Sequence, residues 1–148
     1  IPARLLSRGL GDVYKRQDLG GGSAHYKYES EEEYYKDLSE SWFGLSSRRG
    51  SWDALRNYEI IASGSLLIYR DYLNKPISCS PRNVPCLSYS TKNELYQIFD
   101  RLVPNNKPTD EYMFLLEAQR EWLLNYGTTT AIAKNIINII KKNPIYRE

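Results

Sequence analysis

Residues 65–69 read Ser-Leu-Leu-Ile-Tyr, an apolar run without the polar-apolar alternation of a half-exposed strand. A strand that is apolar on both sides must be covered on both, which is the condition of an interior strand in a parallel sheet flanked by helices. The preceding stretch, Ser51 to Ser63, has helical spacing and runs into Gly64, a residue suited to the left-handed stop of a helix. A helix, a glycine stop and a doubly buried strand in succession restrict the chain to the α/β class.

The flanking segments fit that class. Ser30 followed by Glu33 is a capping box that predicts a short helix to about Leu38, and Ser41–Ser47 reads as a strand with its exit loop. After β-type residues 65–69, three prolines between Asn74 and Pro85 predict a loop, with a short extended piece near Cys86–Tyr89. Thr91 and Glu94 form a second capping box, for a helix to about Leu102. Residues 110–126 predict a helix that buries Tyr112, Leu115, Leu116, Trp122 and Leu123, with Gln119 as their neighbour and Gly127 as its end. A last helix, capped by Thr128–Thr130, runs to about Lys142 and gathers Ile132, Ile136, Ile139 and Ile140 on one side. The domain plan is a partial α/β unit over residues 30–103 with carboxyl-terminal helices over 110–142 packing on it.

Composition narrows the function classes. The chain has 148 residues, of which 41% are hydrophobic and 26% charged, the balance of one globular domain. Its longest apolar stretch, Ile132–Ile140, is interrupted by Lys134, Asn135 and Asn138, so no membrane span is expected. Cys79, Cys86 and His25 make a poor metal set; the two cysteines read as reduced thiols, with a C-x6-C disulfide as the alternative. Arg4, Arg8, Lys15 and Arg16 against Asp12 give residues 1–17 a charge of +3, and subtracting it from the total of +2 leaves −1 for the rest. A nearly neutral body without a basic stripe argues against a nucleic-acid binder. The segment Gly11–Gln17 resembles a translated sequencing adapter, so residues 1–17 are read as a non-native leader and 18–29 as an irregular junction, with the natural chain expected to extend further upstream. The Gly-rich run Asp18–Ser23 lacks the lysine of a phosphate loop and reads as a turn. No secretory signal is recognisable, which leads to the expectation of a cytoplasmic protein.

One residue of the central helix calls for explanation. On a wheel of about 100° per residue, Trp52, Leu55, Tyr58, Glu59 and Ala62 share a sector of about 120°, with Asp53, Asn57 and Ile60 elsewhere. Glu59 is thereby expected on the buried face or its rim, where a carboxylate needs donors. Arg56, one turn earlier, is one source; the vicinal hydroxyls of a ribose or sugar are another. The loop Ser46–Gly50, leaving a strand's carboxyl end for a helix amino terminus, sits where open α/β sheets bind ligands, and Arg48 and Arg49 there could offer charge to a diphosphate.

The stretch from Ser41 to Asp71 resembles the nucleotide-sugar-binding region of glycosyltransferases of the two-domain GT-B fold, in particular exostosin-like and CgeB-like members. The matching residues are Ser41, Phe43, Gly44, Leu45, Arg48, Arg49, Gly50, Trp52, Asp53, Arg56, Tyr58, Glu59, Ala62 and Gly64, and Glu117–Ile137 is similar to the family's carboxyl-terminal helices. Ser51 stands where many relatives have an earlier glutamate, Ala54 where they have cysteine, and no proline follows Gly64. The resemblance implies a partial Rossmann-like carboxyl-terminal domain that binds a nucleotide diphosphate sugar with Glu59, Arg56, Arg48, Arg49, Gly50, Ser51 and Trp52. It implies no required metal, an unspecified acceptor, a general base outside this segment, and no turnover by this segment alone. The alternative is a non-catalytic α/β interaction module in which Glu59 forms a structural ion pair with Arg56.

Overall fold

The computed structural model describes residue 28 and residues 30–142. The leader assigned to 1–17, the junction at 18–29 apart from Tyr28, and His25 lie outside the described residues. Along the rest run α1 (Glu31–Ser39), β1 (Phe43–Ser47), α2 (Leu55–Ala62), β2 (Leu66–Arg70), β3 (Leu87–Tyr89), α3 (Lys92–Leu102), α4 (Asp110–Trp122) and α5 (Thr129–Lys142). Three capping interactions explain where helices begin: Ser30 Oγ accepts from the Glu33 N–H, Thr91 Oγ1 from the Glu94 N–H and Thr109 Oγ1 from the Tyr112 N–H. In the second box the Glu94 carboxylate reaches back to the Ser90 N–H at 2.8 Å.

The three strands form one parallel sheet in the order β1-β2-β3, with Phe43 opposite Leu66 and Ile68 opposite Leu87. The 65–69 run is the central strand, as its composition requires, and its side chains alternate between two cores. Leu66 and Ile68 join Phe43, Leu45, Tyr89 and the Leu95, Ile98, Phe99 and Leu102 face of α3. On the other side Leu67 joins Ile60 and Ile61 of α2, Leu38 of α1, Val84 and Trp122. Fully burying each such Leu, Ile or Phe contributes about 1.5–3 kcal/mol, which is what holds helices against both sides of so small a sheet.

Two contacts set the geometry of these layers. Gly44 of β1 lies directly beneath Ile60: a Cβ built there would stand 2.4, 2.6 and 2.9 Å from three Ile60 side-chain atoms. The missing side chain is what lets α2 seat on β1. Gln119 of α4, fully buried, aims its amide at the edge of β2 that β3 is too short to reach. Its Oε1 accepts from the Leu67 N–H at 2.8 Å, and its Nε2 donates to the Leu67 and Pro85 carbonyls at 3.0 and 3.1 Å. The side chain thus continues the sheet's hydrogen bonding by one residue, a larger part than that of a neighbour to apolar positions.

Several sequence expectations are corrected. The central helix starts at Leu55, after an extended Ala54 with φ −123 and ψ 140, so Ser51 and Trp52 belong to the loop. A wheel that counts Trp52 as helical is therefore misphased: the inward residues are Asn57, Ile60 and Ile61, whereas Leu55 is 74% exposed. The helix does end as expected, with Gly64 at φ +81. The 110–126 helix is regular only to Trp122 and widens into a π-type turn over Leu123–Gly127. Cys79 and Cys86 are free thiols, and burial pushes the Cys86 thiol up to about 12. In α5 only Ala131 is buried; Ile132, Ile136, Ile137, Ile139 and Ile140 are all exposed instead of packing on the domain.

Replacing Gln119 by leucine strands the Leu67 N–H and its facing carbonyls in an apolar interior. We expect a loss of about 2–4 kcal/mol in urea denaturation, well above a neutral substitution. Gly44→Ala should cost about 1–3 kcal/mol through overpacking. Combined with Ile60→Ala it should cost clearly less than the sum of the two single changes, measured by the same denaturation series.

Candidate functional site

The loop from Arg48 to Ala54 leaves the carboxyl end of β1 and enters α2. Its anchor is Trp52, 8% exposed, whose ring stacks on Tyr69 of β2 at 5.8 Å between centroids and 30° between planes. The Trp52 carbonyl accepts two bonds, from Asn57 Nδ2 and from the Tyr69 hydroxyl, each 3.1 Å. Asn57, wholly buried, in turn accepts from Ser46 Oγ at 2.5 Å, so the last turn of β1 and the first turn of α2 hold the loop between them. Burial pushes the Tyr69 phenol up to about 12 and keeps it a donor at neutral pH. Ser51 Oγ donates to the Asp53 carbonyl at 2.6 Å, and Asp53 accepts from the Tyr58 hydroxyl at 2.8 Å.

On this rigid base the basic side chains point outward. Arg48 lies over the Trp52 ring at 5.5 Å, a cation–π contact, and Arg48, Arg49, Gly50 and Ser51 are all exposed. No side chain caps the amino terminus of α2 at Ala54. The loop therefore offers two guanidinium groups beside a helix amino terminus, a cationic lip at the carboxyl end of the sheet.

Arg56 and Glu59 are half-buried and meet α1. Glu59 accepts from Tyr34 at 2.9 Å through Oε2 and from Tyr35 at 3.3 Å through Oε1. Arg56 donates through Nε to the Leu45 carbonyl at 3.1 Å and to the Tyr34 hydroxyl at 3.3 Å, with its guanidinium 5.7 Å from the Tyr34 ring. Among the described residues no direct Arg56–Glu59 ion pair forms; the Tyr34 hydroxyl stands between them. This corrects the pairing expected from their helical spacing. Glu59 lies at the rim of α2, and its donors come from another helix. Burial chiefly, and the bond to Glu59, raise the Tyr34 phenol, opposed by the Arg56 charge. For Tyr35 the Glu59 charge is the largest cause of an upward shift.

The seven residues named from sequence thus divide into two groups. Arg48, Arg49, Gly50, Ser51 and Trp52 form the loop, while Arg56 and Glu59 form a cluster with Tyr34 and Tyr35; no hydrogen bond or ion pair joins the two groups among the described residues. The two tyrosines escaped notice, and Asn57, like Ile60, was placed away from the buried face although both are wholly buried. Asn57 carried a signal, a polar side chain three and four residues before the Ile60–Ile61 pair; the tyrosines carried none, because their pairing spans 24 and 25 residues. Among the described residues no group of His, Cys, Asp and Glu is arranged to hold a metal ion.

Replacing Glu59 by glutamine removes the charge that favours the neutral Tyr35 phenol. Tyrosinate absorbance should then rise at lower pH than in the parent, with Tyr35→Phe deleting the same component; an unchanged titration would show that the carboxylate does not face Tyr35 in solution.

Searches of protein-family models, of curated proteins and of solved structures each found no match to this chain.

Proposed function

We propose that this chain is the donor-binding part of a GT-B-type glycosyltransferase, holding a nucleotide diphosphate sugar at the carboxyl end of its sheet. The parallel β1–α2–β2 unit supports the reading, because its connecting loop presents Arg48 and Arg49 beside an uncapped helix amino terminus. Such a lip suits the two phosphates of a donor. As the glycosidic bond breaks, negative charge grows on the leaving diphosphate, and guanidinium groups and the helix dipole stabilise it.

The observation that carries the assignment of Glu59 is its pair of hydroxyl donors, Tyr34 and Tyr35. A carboxylate arranged to accept from two hydroxyls offers what the vicinal diol of a ribose or sugar requires. Tyr35 is 42% exposed and its bond is the longer, so a donor hydroxyl would displace it first. Arg56 fixes Tyr34 and the Leu45 carbonyl, and through them the position of Glu59.

The same contacts favour a second reading, in which α1 is pinned to β1 by Tyr34, Arg56 and Glu59 as part of a non-catalytic interaction module. Titration of the chain with uridine and guanosine diphosphates and their sugar conjugates separates the two. For a donor site, Glu59→Gln weakens a sugar conjugate by about ten- to a hundredfold, the loss of hydrogen bonds to a charged group, and Tyr35→Phe tightens it. Absence of binding by every conjugate, with Tyr34→Phe and Glu59→Ala coupled in their effects on stability, would overturn the donor reading and leave the structural one.

A further inference from the structure

β1 is an outer strand of the sheet, and the groups on its edge away from β2 follow from the register. The Leu66 N–H donates to the Trp42 carbonyl at 3.0 Å, with Phe43 opposite Leu66. In a parallel pair this turns the N–H and C=O groups of Gly44 and Ser46 towards β2, and those of Phe43, Leu45 and Ser47 to the outer side. A strand edge pairs with other chains unless a charge, a proline, a bulge or a covering element prevents it. β1 reads Phe-Gly-Leu-Ser-Ser, with neither charge nor proline, and its register with β2 runs without a bulge. Its protection has to come from another element, and Arg56 of α2 supplies it. The guanidinium donates through Nε to the Leu45 carbonyl at 3.1 Å and through Nη1 to the Tyr34 hydroxyl at 3.3 Å, which draws α1 against the same edge. Among the described residues no other side chain bonds to an outward group of β1. The edge is closed in this state: Phe43 and Leu45 are 0% and 3% exposed, backbone included.

We propose that the outer edge of β1 is a latent pairing surface for β1 of a second copy of this chain, and that Arg56 holds it closed. The positions of the outward groups select this occupant. Antiparallel pairing about a two-fold axis at Leu45 sets Leu45 opposite Leu45 and Phe43 opposite Ser47, so that each outward N–H of one copy meets an outward C=O of the other. The Leu45 carbonyl lies at the centre of that ladder, and it is the acceptor that Arg56 takes. With the guanidinium in place the central pair cannot form and α1 is held in the way; without it, every outward group has its counterpart. This inference does not depend on the glycosyltransferase reading.

The test is sedimentation velocity of the full chain over a range of concentrations. Arg56→Ala is expected to tighten self-association relative to the parent by about ten- to a hundredfold, the worth of one hydrogen bond from a charged donor. If circular dichroism shows that this variant has lost its fold, Arg56→Lys takes its place: it keeps the charge without the Nε–H fork, and a shift in the same direction is expected. Adding Ser47→Pro removes an outward N–H that the β1–β2 ladder does not use, and should return either variant to the behaviour of the parent. A folded Arg56 variant that associates no more than the parent would overturn the proposal. So would a gain in association that Ser47→Pro leaves unchanged, which would place the contact away from this edge.

Discussion

The central strand β2 imposes a requirement that the rest of the fold meets: its residues Leu66–Tyr69 are buried, and their backbone polar groups need partners. On one side β1 supplies a regular parallel ladder. On the other, β3 is only three residues long, and at Leu67 the Gln119 amide takes its place with one acceptor and one donor. A primary amide is the one side-chain group that copies a peptide's two functions, so an apolar or acidic residue could not do this. The position of α4 follows from that match, and Trp122, three residues later, closes the second core.

The region around Arg48–Glu59 depends on how α2 meets the sheet. Ile60 over Gly44 fixes the helix's depth, and Asn57 between Ser46 and the Trp52 carbonyl fixes its rotation. With Ile60 inward, Glu59 is turned about 100° away from the β1 contact, towards α1. The cationic lip and the carboxylate cluster are thus two places held by one helix. The loop's own carboxylate, Asp53, accepts from the Tyr58 hydroxyl, whereas Glu59, on the side of α2 that meets α1, accepts from Tyr34 and Tyr35.

Local signals in the chain were read well because their physics is local. The Ser30 and Thr91 boxes act within three residues, the Gly64 stop depends on one φ angle, and an apolar run such as 65–69 has no stable exposed arrangement. The wheel for α2 failed for a definable reason. Trp52 is apolar and falls in phase with Leu55 and Tyr58, but it is buried by stacking on Tyr69 from a loop, and its inclusion rotated the inferred face. Leu55, counted as inward, begins the helix at the surface.

By itself the sequence determined a parallel α/β unit, its order of elements and most helix boundaries, because capping, stop residues and two-sided apolarity are properties of neighbouring residues. Only the tertiary structure decided what Gln119, Asn57 and Glu59 do. Each is a polar side chain whose partner lies elsewhere in the fold, at Leu67, Ser46 or Tyr34, and a hydrogen bond between distant segments leaves no periodic trace along the chain. The exposure of α5 belongs to the same class: an isoleucine stripe has the same spacing whether it faces a core or is left open, and only packing distinguishes the two.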